Sequence, residues 1–331
     1  MSAHLASAAP SGALHNSLII AVPASAILAA TIYLLTLGGG AMVGLRAPIL
    51  NAVPLCFGLV LLLGAATRSG TRAARAAGAL QTSLIVVALG LSLACLSYVC
   101  ASTGLPLRDK DMIWADRFLG FDWLRLMTSL DEHRALLVVL DAAYSTFTAQ
   151  LLLAALALLL ADRRRDLDRF IVAFVCASIF AESASILCPT LGPMFVVGAR
   201  AHFANVPMLG RETAQIVLAL RSGTLDVIDF QAIDGIISFP SLHAAVAVLV
   251  PWALRWSKPL LWPVVILDCA MFLSAVPCGN HYLADVIGGL AVAVLAIMSA
   301  RPLHRLLEHL AFGAFAFKDA RQRGAIAPQR Q

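Results

Sequence analysis

The chain has 331 residues, 60% of them hydrophobic and only 13% charged, against about 25% charged in soluble domains. That balance excludes an ordinary soluble domain and implies an integral membrane protein. The net charge of +5 calls for no nucleic-acid partner, because a basic tail beyond residue 300 can lie against anionic inner-leaflet lipid.

Crossing ~30 Å of hydrocarbon takes roughly 20 helical residues. Apolar stretches of that kind run at about 18–43, 48–66, 77–104, 135–161, 170–188, 242–257, 259–278 and 282–300. None alternates apolar and polar residues at period two, which disfavours a barrel and requires backbone groups to be satisfied within helices. The expected fold is all-α, a polytopic transmembrane helical bundle of about eight spans. Residues 1–17 hold no Lys or Arg, so the basic region of a cleavable signal is missing and the first span is expected to be retained. The predicted organisation is a cytoplasmic segment 1–17, a transmembrane hairpin in 18–76, a six-span core in 77–300 and a basic tail in 301–331. Within the core, 106–134 is too polar to span. Its Trp114, Phe118, Leu119, Phe121, Trp123 and Leu124 read as an interfacial helix or re-entrant cap. The second soluble piece lies within 189–241, with Glu212 to Leu220 helical between Gly210 and Gly223. The tail is expected to be disordered after Phe317.

Loop charges set the orientation, since cytoplasmic loops retain an excess of Lys and Arg. One set of loops, including Arg163-Arg164-Arg165 and the tail, carries fifteen basic residues and the opposite set nine. Both termini are therefore expected in the cytoplasm. His243 at the start of the sixth span and His281 just before the eighth then fall on the same outer face. Only about 14 residues, roughly 21 Å of helix, separate His243 from the cytoplasmic turn, which sets it slightly below the outer interface, at headgroup depth. His281 and Asp285 are four apart and share one helix face. A carboxylate there can fix the imidazole tautomer and sharpen its nucleophilicity. Ser241 and nearby N–H groups begin the sixth span, where an anion is favoured.

Other polar residues have plainer readings. Gly288-Gly289 fits close helix packing. Asp141, Glu182 and Asp268 fall inside predicted spans; each is either a buried interhelical hydrogen bond or a functional contact, and Asp141 and Glu182 fall in the outer halves, near the headgroup pocket. The seven cysteines show no metal-ligand spacing, although Cys188 and Cys278 share the outer face, which leaves a disulfide open.

Ser238-Phe239-Pro240-Ser241-Leu242-His243 resembles the second signature of the type 2 phosphatidic acid phosphatase superfamily, and Ser274 with His281 and Asp285 resembles its third. The wording, with His281, Tyr282, Asp285, Val286 and Gly289, is most similar to the branch that includes inositol phosphorylceramide synthases. Asp116 through Trp123, Ala143-Tyr144 and Gly192-Pro193 are similar to features of bacterial members of that branch. The likeness covers roughly residues 77 to 300.

The resemblance implies a phosphatase-like six-helix core in a bacterial inner membrane, with the site on the periplasmic side. It implies transfer of a lipid-linked phosphate through a phosphohistidine: His281 attacks phosphorus, Asp285 orients it, and His243 protonates the leaving oxygen, then activates water or an acceptor hydroxyl. Ser241 and Ser274 would contact substrate. No metal or other cofactor is required. The partners implied are the bilayer, a lipid phosphate and a polyol acceptor, such as inositol.

Two departures stand out. Ala275 follows Ser274 where the superfamily usually has Arg, and Met194 follows Gly192-Pro193 where the branch often has a basic residue. Phosphate charge must still be offset, and Arg200, Arg211 and Arg221 are the expected cations, ahead of Arg117 and Arg125. Hydrolase and headgroup transferase differ only in the attacking group, and no residue decides between them. A non-catalytic phospholipid-binding protein or transporter is the alternative, though no internal repeat supports the latter.

Overall fold

The computed structural model describes residues 72–207, 209–225 and 235–324. The predicted segment 1–17 and the predicted hairpin before Arg72 lie outside them. Eleven helices are assigned among the described residues, with no strand: α1 (Arg72–Ala101), α2 (Asp109–Phe118), α3 (Trp123–Asp131), α4 (Arg134–Tyr144), α5 (Phe147–Leu160), α6 (Arg164–Leu187), α7 (Pro193–Val196), α8 (Leu209–Ser222), α9 (Leu242–Leu254), α10 (Lys258–Cys278) and α11 (Leu283–Gly324).

Each of the six predicted core spans falls on helix, but they differ in kind. Four helices, α1, α6, α10 and α11, are long and apolar enough to cross a membrane. The stretch read as one span at 135–161 is a pair, α4 and α5, bent by 46°. Ser145 Oγ donates to Asp141 O at 2.9 Å and Thr146 Oγ1 to Ala143 O at 2.6 Å; such back-bonding competes with the helical ladder and bends it. The sixth stretch, α9, has only 13 residues, about 20 Å of helix. The described residues therefore carry four or five candidate spans by length and composition, fewer than the six expected of them. Helix α11 also runs on to Gly324, where a disordered tail after Phe317 is expected from sequence.

The short α9 is central, packed by α5, α6, α10 and α11, while α11 also lies along α6, α1 along α5 and α6, and α10 along α4. Ala245, Val246, Leu249 and Val250 of α9 are all buried, in one cluster with Leu158, Ala173, Ala177, Met271, Ala293 and Ala296. Alanines on the facing helices let the axes approach closely. Outward, Leu153, Ile266, Leu273 and Met298 are exposed. Exposing such side chains to water forfeits ~1.5–3 kcal/mol each, which a hydrocarbon solvent does not exact. Since α10 returns the chain to the end from which α9 departs, His243 and His281 stand at one end of the bundle.

That end is capped by α2, α3, α7 and α8. Asp109 and Asp116 are seven apart on the buried face of α2, while Trp114 and Phe118 stack at 5.6 Å on its exposed side. Two carboxylates of the expected interfacial cap thus point inward, while Trp114 and Phe118 lie outward with the exposed Lys110, Asp111 and Arg117.

Candidate active site

The segment that joins α10 to α11 is held from three directions. Asn280, in the left-handed region at φ 55°, is the hub. Its Oδ1 accepts from Met194 N at 2.8 Å, and its Nδ2 donates to Leu191 O at 3.0 Å and Gly210 O at 3.4 Å. Gly192 and Gly210 make room for it, since a Cβ at either would fall within 2.4 Å of its side chain. Asp109 accepts from Leu191 N, Gly192 N and the Tyr282 hydroxyl, each at 3.0 Å. Asp116 accepts from Leu283 N at 3.1 Å and Ala284 N at 2.9 Å, a carboxylate on the first turn of α11 where the helix dipole favours it. Burial raises the pKa of Asp109 against the pull of Tyr282 and the Gly192 and Leu191 amides. It likewise raises that of Asp116, against the Ala284 and Leu283 amides.

Within this frame His281 Nδ1 lies 3.5 Å from Asp285 Oδ2, both side chains buried. The same Oδ2 accepts from Ser238 Oγ and from Tyr282 N, each at 2.9 Å. Asp285 Oδ1 and His281 Nδ1 have no closer partner, a looseness common in sites without substrate. A proton on Nδ1 would face this carboxylate, a tautomer that leaves the Nε2 lone pair free.

The segment from Ser238 to Ala244 lies directly on the first turns of α11. Ser241 N donates to Asp285 O at 3.0 Å, and Ser241 Oγ caps α9 by accepting from Ala244 N at 3.4 Å. Gly288 and Gly289 permit this approach: a Cβ on Gly289 would lie 2.2 Å from Ser241 O, and one on Gly288 3.0 Å from Phe239 and Pro240. Close packing is thus the role of this pair.

His243, two residues into α9, stacks on Tyr144 with ring centroids 3.8 Å apart and planes at 12°. Tyr144 and His281 both border Gly279, where an added Cβ would sit 2.7 Å from Tyr144 Cε2 and from His281 Cδ2. His243 lies within electrostatic reach of His281. Two imidazoles and one carboxylate therefore converge across a glycine and a tyrosine.

The remaining predicted residues are placed differently. Ser274 is buried and donates to Met271 O at 2.7 Å within its own helix. Arg221 donates to Thr103 O and Leu105 O beyond the end of α1. Arg211 donates to Gly198 O at 2.9 Å and Ala201 O at 3.0 Å, while its Nε is buried without a partner; its neighbour Gly210 abuts Asn280, which puts Arg211 close to the His281 segment. Arg200 is exposed, as are Arg117 and Asp141. Glu182 is buried beside Cys100 of α1 with its Oε2 unpartnered, and Asp268 is buried near Gln150 of α5 with neither carboxylate oxygen hydrogen-bonded. Cys188 and Cys278 are free thiols. Met194, the departure from the expected basic position, packs with Trp123, Met127 and Val286; a cation there would be buried in an apolar cluster. Sequence reasoning left Asn280, Asp109, Gly279 and the Ser238 hydroxyl without roles. Gly279-Asn280 after an apolar helix is a left-handed cap signal that pointed to the turn.

Fold and site define a class: an apolar helical bundle holding a carboxylate-oriented imidazole and a second imidazole at one end, a pairing suited to group transfer through a nucleophile and an acid/base. A family model described as PAP2 superfamily matches residues 110–299, and the chain belongs to that superfamily. Its members are phosphatases, so this is an integral membrane enzyme of phosphatase-type phosphoryl transfer. No curated protein and no solved structure matches the chain.

Proposed function

We propose that the enzyme acts on lipid phosphate esters at the outer membrane face through a phosphohistidine at position 281. The observation that carries this reading is that His281 pairs with Asp285 and lies beside Gly279, where the Tyr144 ring that stacks on His243 also stands. In the first step His281 Nε2 bonds to phosphorus as the bond to the leaving oxygen breaks, and protonated His243 donates its proton to that oxygen. In the second step the now neutral His243 takes a proton from water or an acceptor hydroxyl. That oxygen bonds to phosphorus, and the N–P bond breaks. Asp285 holds the His281 tautomer and balances the charge that develops on the ring. Arg211, with its unpartnered Nε, is the proposed counter-charge to the phosphate, with Arg200 at the exposed rim. Ser241 contributes the N-terminus of α9 as an anion site.

The resemblance to the inositol phosphorylceramide synthase branch favours a headgroup phosphotransferase with a polyol acceptor; a phosphatase uses the same residues with water. The discriminating experiment offers detergent-purified protein phosphatidic acid, diacylglycerol pyrophosphate and phosphatidylinositol, and follows phosphate release and headgroup exchange separately. Exchange in excess of release supports the transferase. Equal activity of wild type and His281→Ala refutes the nucleophile, whereas binding of these lipids without turnover of any of them leaves the lipid-binding alternative.

A further inference from the structure

The bend between α4 and α5 is unexplained by span length, because a straight helix over 134–160 would cross as well. Its geometric result is specific. Tyr144, the last residue of α4, and Phe147, the first of α5, both close on His243: the Tyr144 ring is nearly parallel at 3.8 Å, and the Phe147 ring is tilted by 43° at 4.5 Å. Tyr144 also stands beside Gly279, where an added Cβ would lie 2.7 Å from both Tyr144 Cε2 and His281 Cδ2.

An imidazole delivers or accepts a proton along directions that lie in its ring plane, and that plane turns about two soft torsions. A nearly parallel ring at contact distance on one side and a tilted ring beside it block this rotation. Ser145 and Thr146 bond back to Asp141 O and Ala143 O, and Gln150 Nε2 bonds to Thr146 Oγ1 at 2.8 Å. These bonds fix the angle at which the two aromatic rings are presented.

We infer that the broken helix is a positioning device in which Tyr144 and Phe147 clamp the plane of His243 and aim its ring nitrogen across Gly279 toward the group bound at His281. The inference rests on the proposed role of His243 as acid and base. Tyr144 is a positioning residue, acting through His243 and through its aromatic face.

The test has two arms on the full-length protein in detergent. In the first, diethyl pyrocarbonate modification of His243 is timed by peptide mass spectrometry. Tyr144→Leu accelerates it about tenfold by freeing the ring, while Tyr144→Phe, which keeps the stacked ring, accelerates it less. In the second, turnover of phosphatidic acid is measured for Tyr144→Leu, Tyr144→Phe, His243→Ala and the Tyr144→Leu, His243→Ala double variant. A misplacement of about 1 Å costs on the order of 10²-fold, so kcat falls ten- to a hundredfold in Tyr144→Leu with KM little changed. Tyr144→Phe, which keeps the stacked ring, loses less than Tyr144→Leu. In the His243→Ala background Tyr144→Leu costs nothing more, the non-additivity expected of residues that act as one unit. Unchanged modification of His243 in Tyr144→Leu, or an additive loss in the double variant, overturns the clamp. Faster modification with turnover unaffected by His243→Ala upholds the clamp on the ring and refutes instead the catalytic role of His243.

Discussion

Substituting Gly289 by Ala tests whether the contact between the start of α9 and α11 holds the site together. The added Cβ would stand 2.2 Å from Ser241 O and 2.9 Å from Ala244 Cβ. Restoring an ordinary contact to a backbone oxygen requires the two segments to part by about 1 Å, because neither atom belongs to a flexible side chain. Helix propensity favours Ala by about 1 kcal/mol, whereas overpacking costs about 1–3 kcal/mol, so the net stability loss is at most about 2 kcal/mol. Activity suffers more. The shift strains the bond from Ser241 N to Asp285 O and moves His243 relative to His281, for which a loss on the order of 10²-fold is expected. Gly90 of α1, where an added Cβ meets nothing within 4 Å, is the control: Gly90→Ala is expected to retain full activity with equal or higher melting temperature. The assay is phosphate release from phosphatidic acid, with thermal unfolding in the same detergent. Full activity in Gly289→Ala would refute the reasoning that this packing sets the distance between the two imidazoles.

Asn280→Ala removes the partners of Met194 N and Leu191 O and places a Cβ residue without a polar side chain in a left-handed conformation. Buried groups left unpaired cost ~1–3 kcal/mol each, so a large fall in melting temperature is expected, with Asn280→Asp retaining part of the loss. Arg211→Ala is expected to raise KM for lipid phosphate about tenfold or more and, because Gly198 O and Ala201 O lose their donor, to lower the melting temperature as well; an unaltered KM removes Arg211 from the phosphate site. Asp131, at the end of α3, accepts from the amides of Ala204, Asn205 and Val206, and those bonds hold its pKa below the usual carboxylate range, Ala204 foremost. A depressed folded-state value means that this tether stabilises fully above about pH 4 and weakens as pH falls through the lower folded value. Amide exchange over 204–206 is therefore expected to accelerate under acid, and Asp131→Asn to abolish that dependence.

Local features were the readable ones. His281 and Asp285 form a pair because four residues is one helical turn, and the cap role of Ser241 follows from a Ser before an apolar run. Helix over Glu212 to Leu220 is present within α8, which stops before Gly223 as expected but already includes Gly210. What sequence could not convey was carried by contacts between distant residues. Arg221 looks like a free cation in an outer loop, yet its guanidinium binds carbonyls more than a hundred positions earlier. Asp109 and Asp116 look like solvated charges in a polar stretch, yet they grip Tyr282 and the first turn of α11. Hydropathy also reads 135–161 as one span, because Ser145 and Thr146 barely lower the average while their hydroxyls redirect the backbone.

The central claim is a phosphoryl group carried on His281. Its most direct measurement is rapid quenching of the enzyme with phosphorus-32-labelled phosphatidic acid, followed by mapping of the acid-labile label to peptides. The account predicts label on His281 in wild type, accumulation in His243→Ala and none in His281→Ala. Turnover by wild type with no labelled His281 in either wild type or His243→Ala would contradict it.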